Sequence, residues 1–171
     1  MKQKAHIHSR GYLLIEAMVA MTVLTTGVLG IFALMSQSIK LTRVINDQYI
    51  ATYLAAEGIE VTKNLLDANT PDINAGRPWN DGGFDSSGCY EIDINTSALS
   101  SASPVACAAG SVTPLQFDGS VYQYGSGSAT RYTRTVDVQP IGTIGVRIVS
   151  TVAWAAGASS ITLEDKFYDW H

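Results

Sequence analysis

Arg10-Gly11-Tyr12-Leu13-Leu14-Ile15-Glu16-Ala17-Met18-Val19-Ala20-Met21-Thr22-Val23-Leu24 is the stretch that decides the architecture. From Tyr12 to Ile39 the chain carries one charge, the carboxylate of Glu16. Residues 12–35 are apolar, with Thr22, Thr25, Thr26, Gly27 and Gly30 as mild interruptions. At a rise of about 1.5 Å per residue this segment reaches roughly 36 Å, enough to cross a hydrocarbon core of about 30 Å. A bare acid at membrane depth costs about 2.5–3.5 kcal/mol, so a chain that keeps one gives it a partner. The next positive charge is Lys40, so the partner must come from elsewhere.

The flanks orient the segment. Residues 1–11 hold Lys2, Lys4 and Arg10 and no acid. Basic residues before a span place the leader in the cytoplasm and the remainder outside. The leader holds three of the 11 basic residues, which leaves 8 against 15 acidic ones, near −7, for the rest. That balance argues against direct nucleic-acid binding, which needs a basic face. It suits a solvated extracytoplasmic surface.

Beyond the apolar segment, residues 36–67 read as an amphipathic continuation of the same helix. Leu41, Val44, Ile45, Tyr49, Tyr53, Leu54, Val61 and Leu65 recur near a 3.6-residue period. Lys40, Arg43, Asp47, Gln48, Glu57, Glu60 and Lys63 fill the other positions. No proline precedes Pro71, and Asn69-Thr70-Pro71 is a stop signal. One helix over 12–67 is expected, with Gly27, Gly30 and Gly58 as points where it bends or loosens.

Residues 68–171 read as a loop-rich β head. Asn80-Asp81-Gly82-Gly83, Ser86-Ser87-Gly88 and Gly125-Ser126-Gly127 are turn signals. Strands are expected at 89–94, 132–138, 146–154 and 161–168 from their alternation and β-branched content. The short connections 140–145 and 156–160 favour an antiparallel meander. The fold class is therefore α+β: a long N-terminal helix, transmembrane then amphipathic, packed on a small antiparallel β-sheet head.

Cys89 and Cys107 are the only cysteines, with 17 residues between them. They bracket a loop rich in small residues, which suggests one disulfide in an oxidising compartment. The alternative is two unpaired thiols. Catalysis finds little support. His6 and His8 lie in the leader and His171 is the last residue, so no histidine of the body serves as general base. Asn80, Asp81 and Asp85 offer oxygen ligands for calcium, but not at EF-hand spacing, and a solvated turn is the reading adopted. Trp79, Trp154 and Trp170 read as core or edge packing. No metal and no cofactor are expected.

The order Arg10-Gly11-Tyr12-Leu13-Leu14-Ile15-Glu16 resembles the processing signal of type IV pilins and type II secretion pseudopilins. Those precursors have a short basic leader ending in Gly, an aromatic residue, and an apolar helix with Glu fifth. Leu13 stands where the family usually has Ser or Thr. The apolar run, which lacks the mid-helix proline of many major pilins, is similar to that of minor pilins and minor pseudopilins. The resemblance implies cleavage between Gly11 and Tyr12 by a prepilin peptidase, then N-methylation of Tyr12. It implies that Glu16 serves assembly by pairing with the Tyr12 amine of a neighbouring subunit. It also implies other pilin subunits, an inner-membrane assembly platform and a cytoplasmic ATPase as partners. The precursor would sit in the cytoplasmic membrane, and the filament in the periplasm or at the cell surface. Two further readings compete: a membrane-anchored extracytoplasmic binding domain that never polymerises, and an ordinary secreted protein. A secretory h-region is normally shorter and ends in an A-x-A-like site. A simple anchor does not need Glu16.

Overall fold

The computed structural model describes residues 10–68, 78–104, 112–155 and 157–169. Helix α1 runs unbroken over Arg10–Ala68, 59 residues. Seven strands follow: β1 Gly88–Glu91, β2 Ser103–Pro104, β3 Pro114–Phe117, β4 Tyr122–Gln123, β5 Ser128–Ile141, β6 Gly145–Trp154 and β7 Ser159–Tyr168. All pairings are antiparallel. The fold is α+β, one long N-terminal helix packed on a small antiparallel sheet. Two compact units are present, Met1–Asn46 and Asp47–His171.

The expected meander is there. β5 pairs with β6 from Thr133↔Ala153 to Ile141↔Gly145, and β6 pairs with β7 from Gly145↔Tyr168 to Trp154↔Ser159. The other edge of β5 is shared in succession by β3 and β1. β3 and β4 were not expected. They have four and two residues, too few to show alternation. Asp118 makes the turn between them, accepting from the Ser120 and Val121 amides through Oδ1 at 2.8 and 3.0 Å. β1 stops at Glu91 although the alternation continues to Ile94. Asp93 ends it by folding the chain back, accepting from the Asn95 amide at 3.0 Å and from the Thr96 hydroxyl at 3.1 Å. The Gly125-Ser126-Gly127 turn is as expected. Gly127 has φ +114°, and a Cβ there would lie 2.7 Å from the Phe117 carbonyl, so only glycine fits.

The helix face on the sheet bears out the periodicity reading at Leu54 and Leu65, which are buried, and departs from it nearer the N-terminus. Leu41, Val44, Ile45, Tyr49 and Tyr53 are 50–61% exposed. The buried face is Asp47, Ala51, Leu54, Ala55, Gly58, Thr62, Leu65 and Leu66. These positions keep helical spacing, but several are small, and small side chains let a helix approach a sheet closely. Asp47, read as a solvent-side residue, is 9% exposed.

Gly58 is likewise no bend. A Cβ at Gly58 would meet Ser150 Oγ at 2.5 Å and Arg134 Cδ at 3.1 Å. The glycine marks the closest contact of helix and sheet. It lies between two apolar clusters, one around Leu65, Leu66, Val136, Val138, Val146 and Ile148, the other around Ala51, Leu54, Tyr132, Val152 and Trp154.

Gly58→Ala gains about 1 kcal/mol of helix propensity, but overpacking at such a contact costs about 1–3 kcal/mol. Urea unfolding of the detergent-solubilised chain, followed by tryptophan fluorescence, should show Gly58→Ala destabilised. Ser150→Ala, which removes the atom nearest the new methyl group, should restore much of that loss in the double variant while having little effect alone.

Candidate functional site

The residues singled out for processing and assembly all lie at the start of α1. Gly11 is within the helix, Tyr12 is 79% exposed, and Glu16 is exposed one turn further on. Residues four apart share a helix face, so Tyr12 and Glu16 lie on one side. Among the described residues Glu16 has no cationic partner. Every residue from Tyr12 to Asn46 is exposed. The helix is long and apolar enough to cross a membrane, with a mean hydropathy of 2.1 in its most apolar window and none of that window buried.

The polar groups in this segment are internally satisfied. The Thr22 hydroxyl donates to the Val19 carbonyl at 2.8 Å, Thr25 to Met21 at 2.9 Å and Thr26 to Thr22 at 2.8 Å. In hydrocarbon no water is available to hydrogen-bond, so a hydroxyl must find a carbonyl of its own helix or a neighbour. The threonines that interrupt the hydropathy therefore leave the helix still able to cross hydrocarbon. Glu16 is the exception, with neither a donor nor a counter-ion among the described residues. The first turn of α1 carries no acid, so nothing there offsets the partial positive charge of the helix N-terminus. The leader residues 1–9 lie outside the described residues.

Cys89 is buried on β1, 7% exposed, and is not a free thiol. Cys107 lies outside the described residues, and the proposed bridge lies there with it. Among the described residues no three His, Cys, Asp or Glu side chains converge as a metal site. Asn80 is buried, and Asp81 Oδ1 accepts from the Gly82 amide at 2.7 Å. Trp154 is a core residue and Trp79 packs on the core edge; Trp170 lies outside the described residues.

Sequence reasoning missed the polar contacts that fix the helix to the sheet. Arg134, on β5, is completely buried. It donates through Nη1 to the Leu54 carbonyl at 3.0 Å and through Nη2 to the Ile92 carbonyl at 2.5 Å. Glu57 Oε1 lies 3.3 Å from Nη1. One turn before Ala51, Asp47 accepts from the Tyr132 hydroxyl and from Arg131, each at 3.0 Å. Tyr124 donates its hydroxyl to the Arg134 carbonyl at 3.1 Å. The only signals were the charges of Arg131 and Arg134 within a β-strand pattern.

Comparison with known proteins finds no match to this chain among protein-family models, curated proteins or solved structures.

Burial pushes the Tyr132 phenol up to about 12, helped by its bond to Asp47, and burial raises Tyr124 further still. A phenol with a raised folded pKa contributes stability that is intact below its unfolded pKa of about 10 and lost as pH rises through the folded value. Stability should therefore fall between pH 10 and about pH 12. Tyr132→Phe should be less stable by about 1.5 kcal/mol at neutral pH and show a shallower alkaline decline. Chemical denaturation across that range checks both.

Proposed function

We propose that the chain is the precursor of a structural subunit, a minor pilin or pseudopilin, of a type IV pilus or type II secretion filament. The observation that carries this reading is Glu16: a lone carboxylate, fifth from Tyr12, on an apolar helix, with no cationic partner among the described residues. A membrane anchor has no use for such a group. A helical assembly does, because cleavage after Gly11 creates a positive amine on Tyr12 that a neighbouring subunit brings to Glu16. In a low-dielectric helical core the pair attracts strongly, while desolvation offsets much of the gain. Its value is therefore in setting register between subunits.

In this reading a prepilin peptidase cleaves the Gly11–Tyr12 bond and methylates Tyr12. The helix anchors the subunit in the cytoplasmic membrane with the head outside, until an inner-membrane platform adds it to the filament. A Cys89–Cys107 disulfide closes the loop after β1 and stabilises the head by about 3 kcal/mol. The protein acts by assembly and carries out no catalysis.

Mass spectrometry of the membrane-extracted protein, from cells that contain a prepilin peptidase, tests this directly. Loss of residues 1–11 with a methyl group on Tyr12 is the expected result. An intact leader would favour an anchored head that never polymerises. Gly11→Val should accumulate as uncut precursor, because a β-branched side chain obstructs approach to the scissile bond. Glu16→Ala should insert and be cut normally yet be missing from sheared filaments; its normal incorporation would overturn the assigned role.

A further inference from the structure

We propose that Lys40 and Arg43 form a cationic collar that binds the phosphate groups of anionic phospholipids on the outer face of the membrane. This rests on the membrane-spanning reading of the helix and goes beyond it. From Ala17 to Ile39 the chain has 23 residues and no charge, about 34 Å of helix. Lys40 is the first charge beyond that run, Arg43 the second, and no acid occurs between Glu16 and Asp47.

Both cations are exposed, and among the described residues neither has a carboxylate partner. The nearest acid along the chain, Asp47, is already engaged by Arg131 and Tyr132. Lys40 and Arg43 are three residues apart, so they are neighbours on the helix surface. With the span ending near Met35, Lys40 stands about 7 Å and Arg43 about 12 Å further along the axis. That places the first at headgroup level and the second just above it. Helical side chains lean toward the N-terminus, which here is toward the bilayer, so Arg43 reaches back to the same depth. Leu41, Val44 and Ile45 beside them are about half exposed. Apolar surface next to cations with long aliphatic stems is the composition that settles at a membrane interface. Basic residues after the span also oppose the orientation set by the leader, a disadvantage that anionic headgroups remove.

The test uses the full chain reconstituted in nanodiscs of equimolar phosphatidylcholine and phosphatidylglycerol. Native mass spectrometry then reads which lipids leave with the protein. The wild-type ratio of phosphatidylglycerol to phosphatidylcholine should exceed that of the K40Q/R43Q variant by about thirty-fold, the effect of two surface cations on anionic lipid at about five-fold each. The leader variant K2Q/K4Q controls for cations on the other side, and K40Q/R43Q in that background should lower the ratio again. Equal ratios for wild type and K40Q/R43Q overturn the collar while leaving the membrane reading intact. Failure of the chain to enter the bilayer overturns both. Loss of chain-to-chain cross-linking in K40Q/R43Q, with an unchanged lipid ratio, overturns the collar in favour of carboxylates on a second copy.

Discussion

Burial of the Arg134 guanidinium is the constraint on which the head depends. A charge fully removed from water is tolerable only if its donors are used and its charge is answered. The Leu54 and Ile92 carbonyls each take a donor and Glu57 stands 3.3 Å away to answer the charge, while Nε has no hydrogen-bond partner among the described residues. They belong to the helix and to the exit of β1, so one side chain on β5 ties three parts of the chain together. The cation also needs space, and Gly58 supplies it by presenting no side chain to Arg134 and Ser150. The apolar core is consequently split into two clusters, one on either side of this polar row. Removing one partner of such a buried pair typically costs about 3–5 kcal/mol, so helix and sheet are fixed in register by chemistry as well as by packing.

The same helix faces two demands. From Asp47 onward one face is small and buried, and its polar members have partners. From Tyr12 to Asn46 every residue is exposed, the threonine hydroxyls are returned to the helix's own carbonyls, and apart from Glu16 charge is excluded until Lys40. The second pattern is that of a helix long and apolar enough to cross a membrane. Glu16 violates that pattern, and sites that break a local rule are where function is expected.

Most of the frame was legible in the sequence because it rests on strong periodic signals. The long apolar run, the absence of proline before Pro71 and the alternation in residues 132–168 fixed one helix and three paired strands. The helix face was misread for a physical reason. Hydropathy rewards Leu41, Ile45, Tyr49 and Tyr53, whereas close packing on the sheet selects Ala51, Ala55 and Gly58. Arg134 and Asp47 were invisible because a charged residue is buried only when partners distant in sequence meet it, here 42 to 85 residues away. β3 and β4 are shorter than the period that would reveal them. At the N-terminus the lone acid Glu16 stands out in the sequence without any distant partner, and Gly11 and Tyr12 are singled out by the resemblance; the proposed function rests on these three.

The sheet itself argues about how copies of this chain associate. β7 is an edge strand of ten residues, paired only with β6. A long open edge invites pairing with another chain unless charge protects it. Glu164, Asp165 and Lys166 lie in its second half, and Glu164 is held by Arg147 at 2.6 Å across to β6. Asp165 stands opposite Ile148, which is completely buried. Partners in register share a face, so a carboxylate occupies a core-side position on the exposed edge. An added strand would have to cover that charge. Edge-to-edge growth is thereby disfavoured, and the large apolar surface still open to a neighbour is the helix from Tyr12 to Asn46. Under the proposed function, assembly through that helix with Glu16 setting the register would use the surface the fold leaves uncovered and spare the one it protects.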